Sequence, residues 1–290
     1  MVGVVEGDNK NKNIDLNGVS VPANERDGFL AVLDARNGEF QRRSMITGPN
    51  AQVPETITVD NEGNAYVAGA FLESVSFSSP DQTLSGVDSV DIFVAKWGLI
   101  DTGFLWARRA ASARVDFAYD IEVDNDKNVY VTGMHNGDIT ELSLHSRGDE
   151  NAYLAKWNAQ GKVVAASNGF HNGNRDYHGG IARTKEGNIV LAGSFSSTTA
   201  QFPMVGGKSV QGKGVTDIIL TEVEPNQLTP TGFLVSDGGA YEDRVNKICI
   251  TNTGYVYAAG WFKTNSNFNE ININGKSDER NTFITRYKLH

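Results

Sequence analysis

Residues Asp120–His135 read DIEVDNDKNVYVTGMH, and this stretch decides the fold. An alternating run, a polar turn and a second β-rich run closed by Gly133 are the grammar of a β-hairpin. The chain writes the same sentence three more times: Thr56–Phe71 (TITVDNEGNAYVAGAF), Gly180–Phe195 (GIARTKEGNIVLAGSF) and Lys247–Phe262 (KICITNTGYVYAAGWF). Four copies of one hairpin predict a repeat architecture.

Two landmarks fix the period. The closing glycines Gly69, Gly133, Gly193 and Gly260 are 64, 60 and 67 residues apart. A second run follows each hairpin: DGFLAVLD from Asp27, DIFVAKWG from Asp91, NAYLAKWN from Asn151, DIILTEVE from Asp217 and NTFITRYK from Asn281, spaced by 64, 60, 66 and 64. Each unit reads as four strands. Strand A is the TITVD type, B the NAYVAGAF type, C the DIFVAKW type and D the GFLWARRA type, the last at Gly103–Ala110. In strand C, Ile92, Val94 and Lys96 face one way and Phe93, Ala95 and Trp97 the other. The A–B turns carry glycine at Gly63, Gly187 and Gly254, where positive φ is needed. Lys127 stands at that place in the remaining copy, a cost unless Asn125 or Asn128 takes the left-handed conformation.

Four antiparallel strands per unit, repeated radially, predict an all-β chain folded as a β-propeller of four-stranded blades. About five repeats of ~64 residues are visible. A β-solenoid has shorter coils and lacks the A–B hairpin. The predicted organisation is one domain, 1–290, with a partial unit 1–48, units 49–111, 112–170 and 171–238, and a partial unit 239–290. Five B and five C strands are found, but four A and four D. Either the ring closes with two three-stranded blades or the chain is a piece of a longer propeller.

The pattern IxVDxxGNxYVxGxF, then DIFVAKW, then GxxxWAR resembles the bacterial SBBP β-propeller repeat. The resemblance covers essentially the whole chain and is closest over Thr56–Ala110. It departs where Arg183 and Thr184 replace Val-Asp and where Thr221, Glu222 and Val223 replace Ala-Lys-aromatic. The resemblance implies a propeller, usually exported and often part of a larger surface protein, with no established catalytic residues. It places the chain outside the cell, on its surface or in the periplasm.

Composition narrows the function. A net charge of -9 and a pI near 5.1, with no basic patch interleaved with aromatics, argue against nucleic acid. With 31 glycines, 7 prolines and no period of three, the chain is turn-dense rather than collagenous. No apolar run is long enough for a membrane span. The N-terminal MVGVVEGDNKNKN does not read as a signal peptide. Cys249, the single cysteine, sits in an apolar alternation and is expected as a buried small residue. No cofactor is indicated.

Chemistry would sit where the D–A loops meet. Asp116, Asp176 and Asp243 recur just before strand A, with Tyr119, Tyr177, His178 and Arg244 beside them. They form either a polar, ligand-binding funnel or a set of caps, each closing its own loop or bonding the next blade. Equivalent acids have like environments, whereas glycoside hydrolysis needs a pair with unlike ones. No GxSxG motif occurs. His171, Asp176 and His178 share one loop and could ligate a metal, although a solvated loop is the plainer reading. Asp124, Asp126 and Asn128, like Asp60, Glu62 and Asn64, imitate the start of a calcium loop but lack its distal glutamate, and so read as turns. Trp97, Trp157 and Tyr287 end strand C, Trp106 lies in strand D, and Trp261 with Phe262 could stack a sugar.

The sequence favours a non-enzymatic binding or scaffold module taking a protein or glycan ligand. The alternatives are a subunit of a larger assembly, pairing through open sheet edges at Val2–Gly7 and Phe283–Lys288, and a carbohydrate-active lyase or hydrolase using the funnel face.

Overall fold

The computed structural model describes residues 1–5, 13–15, 20–22, 26–78, 82–100, 103–169, 175–196, 200–201, 209–276 and 279–289. The chain is all-β, its strands arranged in several antiparallel sheets. Strand β1 (Val2–Val5) is followed by a small hairpin of β2 (Asn13–Asp15) and β3 (Ser20–Pro22). A seven-stranded sheet then takes in β4 (Asp27–Leu33), β5 (Phe40–Thr47), β6 (Gln52–Val59), β7 (Ala65–Phe77), β8 (Gln82–Trp97) and β9 (Phe104–Ala110). Its order is β1-β4-β5-β7-β8-β9, with β6 on β7. Strands β10 (Asp116–Val123), β11 (Val129–His135), β12 (Asn151–Trp157) and β13 (Val163–Asn168) form a four-stranded sheet in that order, with one 3-10 turn at Thr140–Leu142.

A six-stranded sheet has the order β14 (Asp176–Arg183), β15 (Ile189–Phe195), β18 (Asp217–Val223), β19 (Pro230–Gly239), β22 (Asn265–Phe268) and β23 (Ile271–Asn274). Between β15 and β18 lies a short hairpin of β16 (Ala200–Gln201) and β17 (Ser209–Val210). The last sheet has three strands, β20 (Asp243–Ile250), β21 (Tyr255–Lys263) and β24 (Arg280–Lys288). The chain divides into two compact units. One comprises Met1–Val129, Gly137–Leu142 and Trp157–Val163; the other Tyr130–Asn136, Ser143–Lys156 and Val164–His290.

The repeat is visible in the strand order. Within each complete unit the A, B, C and D strands neighbour one another in sequence order: β6-β7-β8-β9, β10 to β13, and β14-β15-β18-β19. The longer connections between B and C fold as hairpins rather than open polar loops. Ser74–Phe77 pairs with Gln82–Ser85 at the tip of β7–β8, and β22 pairs with β23. These tips also reach strand D of the preceding unit, β5 onto β7 and β19 onto β22, which is why sheets of seven and six strands arise.

The closing glycines have a steric reason. Strand A bulges against B at the same place in three units, between Pro54 and Thr56, His178 and Gly180, and Val245 and Lys247. The bulge drives a strand-A carbonyl toward strand B. A Cβ on Gly69 would lie 2.2 Å from the Val53 carbonyl oxygen, and one on Gly260 would lie 1.9 Å from that of Arg244. No side chain fits there.

The A–B turns are closed by their first residue. Asp60 Oδ1 accepts from the Glu62 and Asn64 amides at 3.0 and 2.9 Å, and Asp124 Oδ1 from the Asp126 and Asn128 amides at 2.9 and 2.8 Å. Gly63, Gly187 and Gly254 have φ of 84°, 99° and 76°. Lys127 itself takes the left-handed conformation at φ 64°, so neither neighbouring asparagine relieves it. Its ammonium pairs with Glu62 at 2.7 Å.

Packing follows the alternation of strand C. In the first unit Leu30 packs with Phe93, Ala95 and Trp97 of the next repeat. In the second, Leu154 packs with Ile189, Leu191 and Val223, and Ile218 and Leu220 pack with Val256, Phe283 and Tyr287. The even face of one sheet therefore buries against the odd face of the next, at roughly 1.5–3 kcal/mol for each large side chain removed from water. A strand-C cation or strand-D side chain adds a polar latch to the following C–D turn. Arg42 bonds the Leu99 carbonyl, Trp106 Nε1 the Ala159 carbonyl at 3.1 Å, Arg108 the Gly161 carbonyl at 2.9 Å, and Lys156 Nζ the Pro225 carbonyl at 2.9 Å.

Candidate functional site

The acids before strand A are buried at the ends of their strands. Asp116 and Asp243 are 0% exposed and Asp176 is 1% exposed. Asp116 Oδ2 accepts from the Ser112 amide at 2.8 Å, and Oδ1 from the Ser112 hydroxyl at 3.0 Å. Asp243 Oδ2 accepts from the Gly239 amide at 2.7 Å, and Oδ1 from the Ser266 hydroxyl. In both, the carboxylate closes the D–A loop on the amide four residues back. Its own amide then bonds the residue ahead of the preceding strand C: Gln52 to Arg26 at 2.7 Å, Asp176 to Glu150 at 3.0 Å and Asp243 to Thr216 at 2.9 Å.

A second set of buried side chains was not singled out from the sequence. The first residue of strand C closes the B–C connection in the same way. Asp91 accepts from the Val87 amide at 2.6 Å, Asn151 from Arg147 at 3.1 Å and Asp217 from Lys213 at 2.7 Å. The signal was present, since every strand-C landmark begins with Asp or Asn. Backbone bridges set a strand-C cap beside the next strand-A cap, Asp27 with Gln52, Asn151 with Asp176 and Asp217 with Asp243, and the charges of Asp91 and Asp116 act on one another in the same way. Two pairs hold one amide, and two hold carboxylates alone.

The all-carboxylate pairs are electrostatically loaded. Burial, reinforced by the charge of Asp116, pushes Asp91 up to about 6. Burial also pushes Asp243 up to about 6, with Asp217 adding to it, and raises Asp217 as well. Asp91 Oδ1 and Asp217 Oδ1 are buried without a hydrogen-bond partner. Among the described residues, no group of three or more His, Cys, Asp or Glu is placed to hold a metal.

The remaining candidates separate. Tyr119 stacks on Phe117, with centroids 6.0 Å apart and planes 15° apart. The Arg244 guanidinium lies 5.4 Å from the Trp261 ring centre. Residues 177 and 178 lie in β14, and the side chains of Tyr177 and His178 fall outside the described residues, as does His171. The calcium-like triplets are spent on their turns. Asp124 Oδ2 is taken by Asn128 Nδ2 at 2.8 Å, and Asp60 Oδ2 by Asn64 Nδ2 at 2.9 Å and Tyr66 Oη at 3.1 Å. Cys249, expected to be buried, is exposed.

The cavities among the described residues include two that bear on a ligand. One, of about 250 Å³, has an apolar wall of Val53, Phe71, Val90 and Phe117 with Arg26 and Glu55 also lining it. It lies beside the first residues of β6 and β10. The other, of about 420 Å³, lies at the A–B turns and is lined by Lys185, Glu186, Asn188, Glu222, Thr251 and Lys288 among others.

Among the described residues no helix is long and apolar enough to cross a membrane. No family model matches the chain, and no curated protein matches it. Twenty-four chains of solved structures are similar to it. One is a protein of unknown function from Bacteroides caccae, 12% identical, matched over 81% of this chain and 79% of that chain with a TM-score of 0.38.

Proposed function

We propose that the chain is a non-enzymatic β-propeller module of the SBBP type that binds a protein or glycan ligand, as part of an exported or cell-surface bacterial protein. The observation that carries the reading is the fate of the recurring acids. Asp116 and Asp243 are at most 1% exposed and committed to loop amides, so neither is presented to a substrate. A general acid or nucleophile must reach the bond it cleaves. The cavity of Val53, Phe71 and Phe117 with Arg26 and Glu55 suits a ligand with an apolar face and a polar rim, such as a sugar ring or a peptide side chain.

The test is a glycan and peptide array run beside a turnover screen with polysaccharides and aryl glycosides. Binding weakened by Phe117→Ala, with no turnover, is the expected result. Turnover that Asp243→Asn abolishes while the fold persists would establish the lyase or hydrolase reading instead.

A second reading, a subunit of a larger assembly, is favoured by one exposed residue. Ile284 of β24 is 78% exposed, although its equivalents in the other repeats are core.

A further inference from the structure

Strand C is buried along most of its length in every repeat but the last. At its fourth position Leu30, Val94, Leu154 and Leu220 are 0–1% exposed, and Ile284 is 78% exposed. The contrast extends across the sheet. Tyr257 occupies the place of Tyr66, Tyr130 and Val190, all fully buried, and is itself only partly covered. Trp261 stands where Ala70, Met134 and Ser194 are buried. In the pairing register, Tyr257 faces Arg286 and Cys249, Ala259 faces Ile284, and Trp261 faces Thr282. Directly opposed residues share a face. These side chains therefore form one contiguous outward surface on β20–β21–β24.

That surface is the even face, which elsewhere packs on the following sheet. It also carries the donor half of the polar latch. Arg286 occupies the position of Lys156, whose ammonium bonds the Pro225 carbonyl in the next C–D turn. Lys156 is buried, whereas Arg286 is exposed and rests on the Tyr255 ring at 4.6 Å.

We propose that this face is the docking surface for one further sheet of the same repeat type, carried by a partner chain. Tyr257, Trp261 and Ile284 form its apolar centre, and Arg286 donates to a carbonyl of the partner's C–D turn. The occupant follows from continuity with the interfaces already in the molecule: an odd-face sheet of the Phe93, Ala95, Trp97 kind is what covers such a face in the other repeats. A second copy meeting the same face about a two-fold axis would bring together two surfaces that both carry Arg286 and Lys288, which like charges disfavour. The proposal rests on the assembly reading above and is independent of whether the loop face binds a ligand.

Cys249, the sole cysteine, reports on this surface. The probe is the full chain extended after its last residue by a copy of its own residues 98–168, which supplies a D strand and one following sheet. In the unextended chain Cys249 should alkylate at the rate of an open thiol, and Ile284→Asp should leave the melting temperature unchanged. In the extended chain alkylation should slow about ten-fold or more, Trp261 emission should shift to the blue, and Ile284→Asp with Arg286→Ala should restore reactivity.

Three results would overturn the proposal. The first is an extended, folded chain in which Cys249 is as reactive as before. The second is a concentration-dependent dimer of the unextended chain that shields Cys249, which would assign the face to a second copy. The third is an unextended Ile284→Asp chain that melts early, which would mean that the face is covered within the chain itself. Turnover in the substrate screen would overturn the binding reading without touching this one.

Discussion

The sheet β6–β9 and the sheet β20–β21–β24 are written in one sequence pattern, and their burial differs. In the former, strand C from Asp91 to Trp97 is buried at every position. In the latter, strand C alternates, with Phe283 and Tyr287 covered and Thr282, Ile284 and Arg286 exposed. Both sheets keep the bulge and the closing glycine. What the last sheet lacks is strand D and, on one face, a neighbour. Strand formation in this fold is thus local to the hairpin and its caps, whereas burial is a property of the stack.

The sharpest way to break the comparison is to place a charge at the same position in both. Val94→Asp buries an unpaired carboxylate and is expected to cost about 4 kcal/mol or more, enough to unfold a marginal domain. Ile284→Asp is expected within about 0.5 kcal/mol of the parent. Equal losses in denaturant melts would refute the distinction drawn between the two sheets.

Truncating the aromatic at the end of strand C sharpens it. Trp97→Ala removes a fully buried ring and its bond to Ser44 Oγ, at 2.9 Å, and should cost about 3–5 kcal/mol. Tyr287→Phe in the last sheet removes only the bond to Asp237 Oδ2, at 2.6 Å, and should cost about 1–3 kcal/mol, because a buried carboxylate loses its donor.

The capping acids give a pH test. Asp91 and Asp243 have folded values raised to about 6 from 3.8. A raised carboxyl stabilises the fold below its unfolded value, and that contribution is lost as pH rises toward 6, by up to about 3 kcal/mol per group. Stability should therefore fall between pH 4 and pH 6 and level off above. Asp91→Asn and Asp243→Asn supply the amide already present at Gln52 and Asn151. Each should flatten that slope and hold or raise stability at pH 7. A steeper slope in either variant would refute the pairing of the two acids.

The smallest effect concerns the turn that breaks the glycine pattern. Lys127→Gly removes a side chain from a left-handed residue and should stabilise by up to about 1 kcal/mol, less the little that the exposed Glu62 pair contributes. A loss on thermal melting would show that the ion pair outweighs the strain.

Much of this was legible in the amino-acid order. The A–B hairpin declares itself through alternation and a turn residue with its own backbone partners, both local properties. The five B and C strands and the four A and D strands all lie where the spacing put them. The hairpins between B and C were not legible, because β22 and β23 are polar, Asn-rich strands whose pairing depends on β19 beside them. Asp116, Asp176 and Asp243 were found by recurrence, but recurrence does not reveal whether a side chain faces a channel or a loop amide. Cys249 was misjudged because alternation shows which residues share a face, and only a neighbouring sheet makes that face an interior.

By itself, then, the sequence determined the repeat, the strand order within each unit and the positions of turns, bulges and capping acids, because each is set by contacts within a few residues or across one hairpin. The tertiary structure alone decided which faces are buried, which carboxylates meet in pairs and which sheet leaves an apolar surface exposed. Those outcomes depend on sheet-against-sheet packing between residues about sixty positions apart, and no local pattern records whether the next sheet is present.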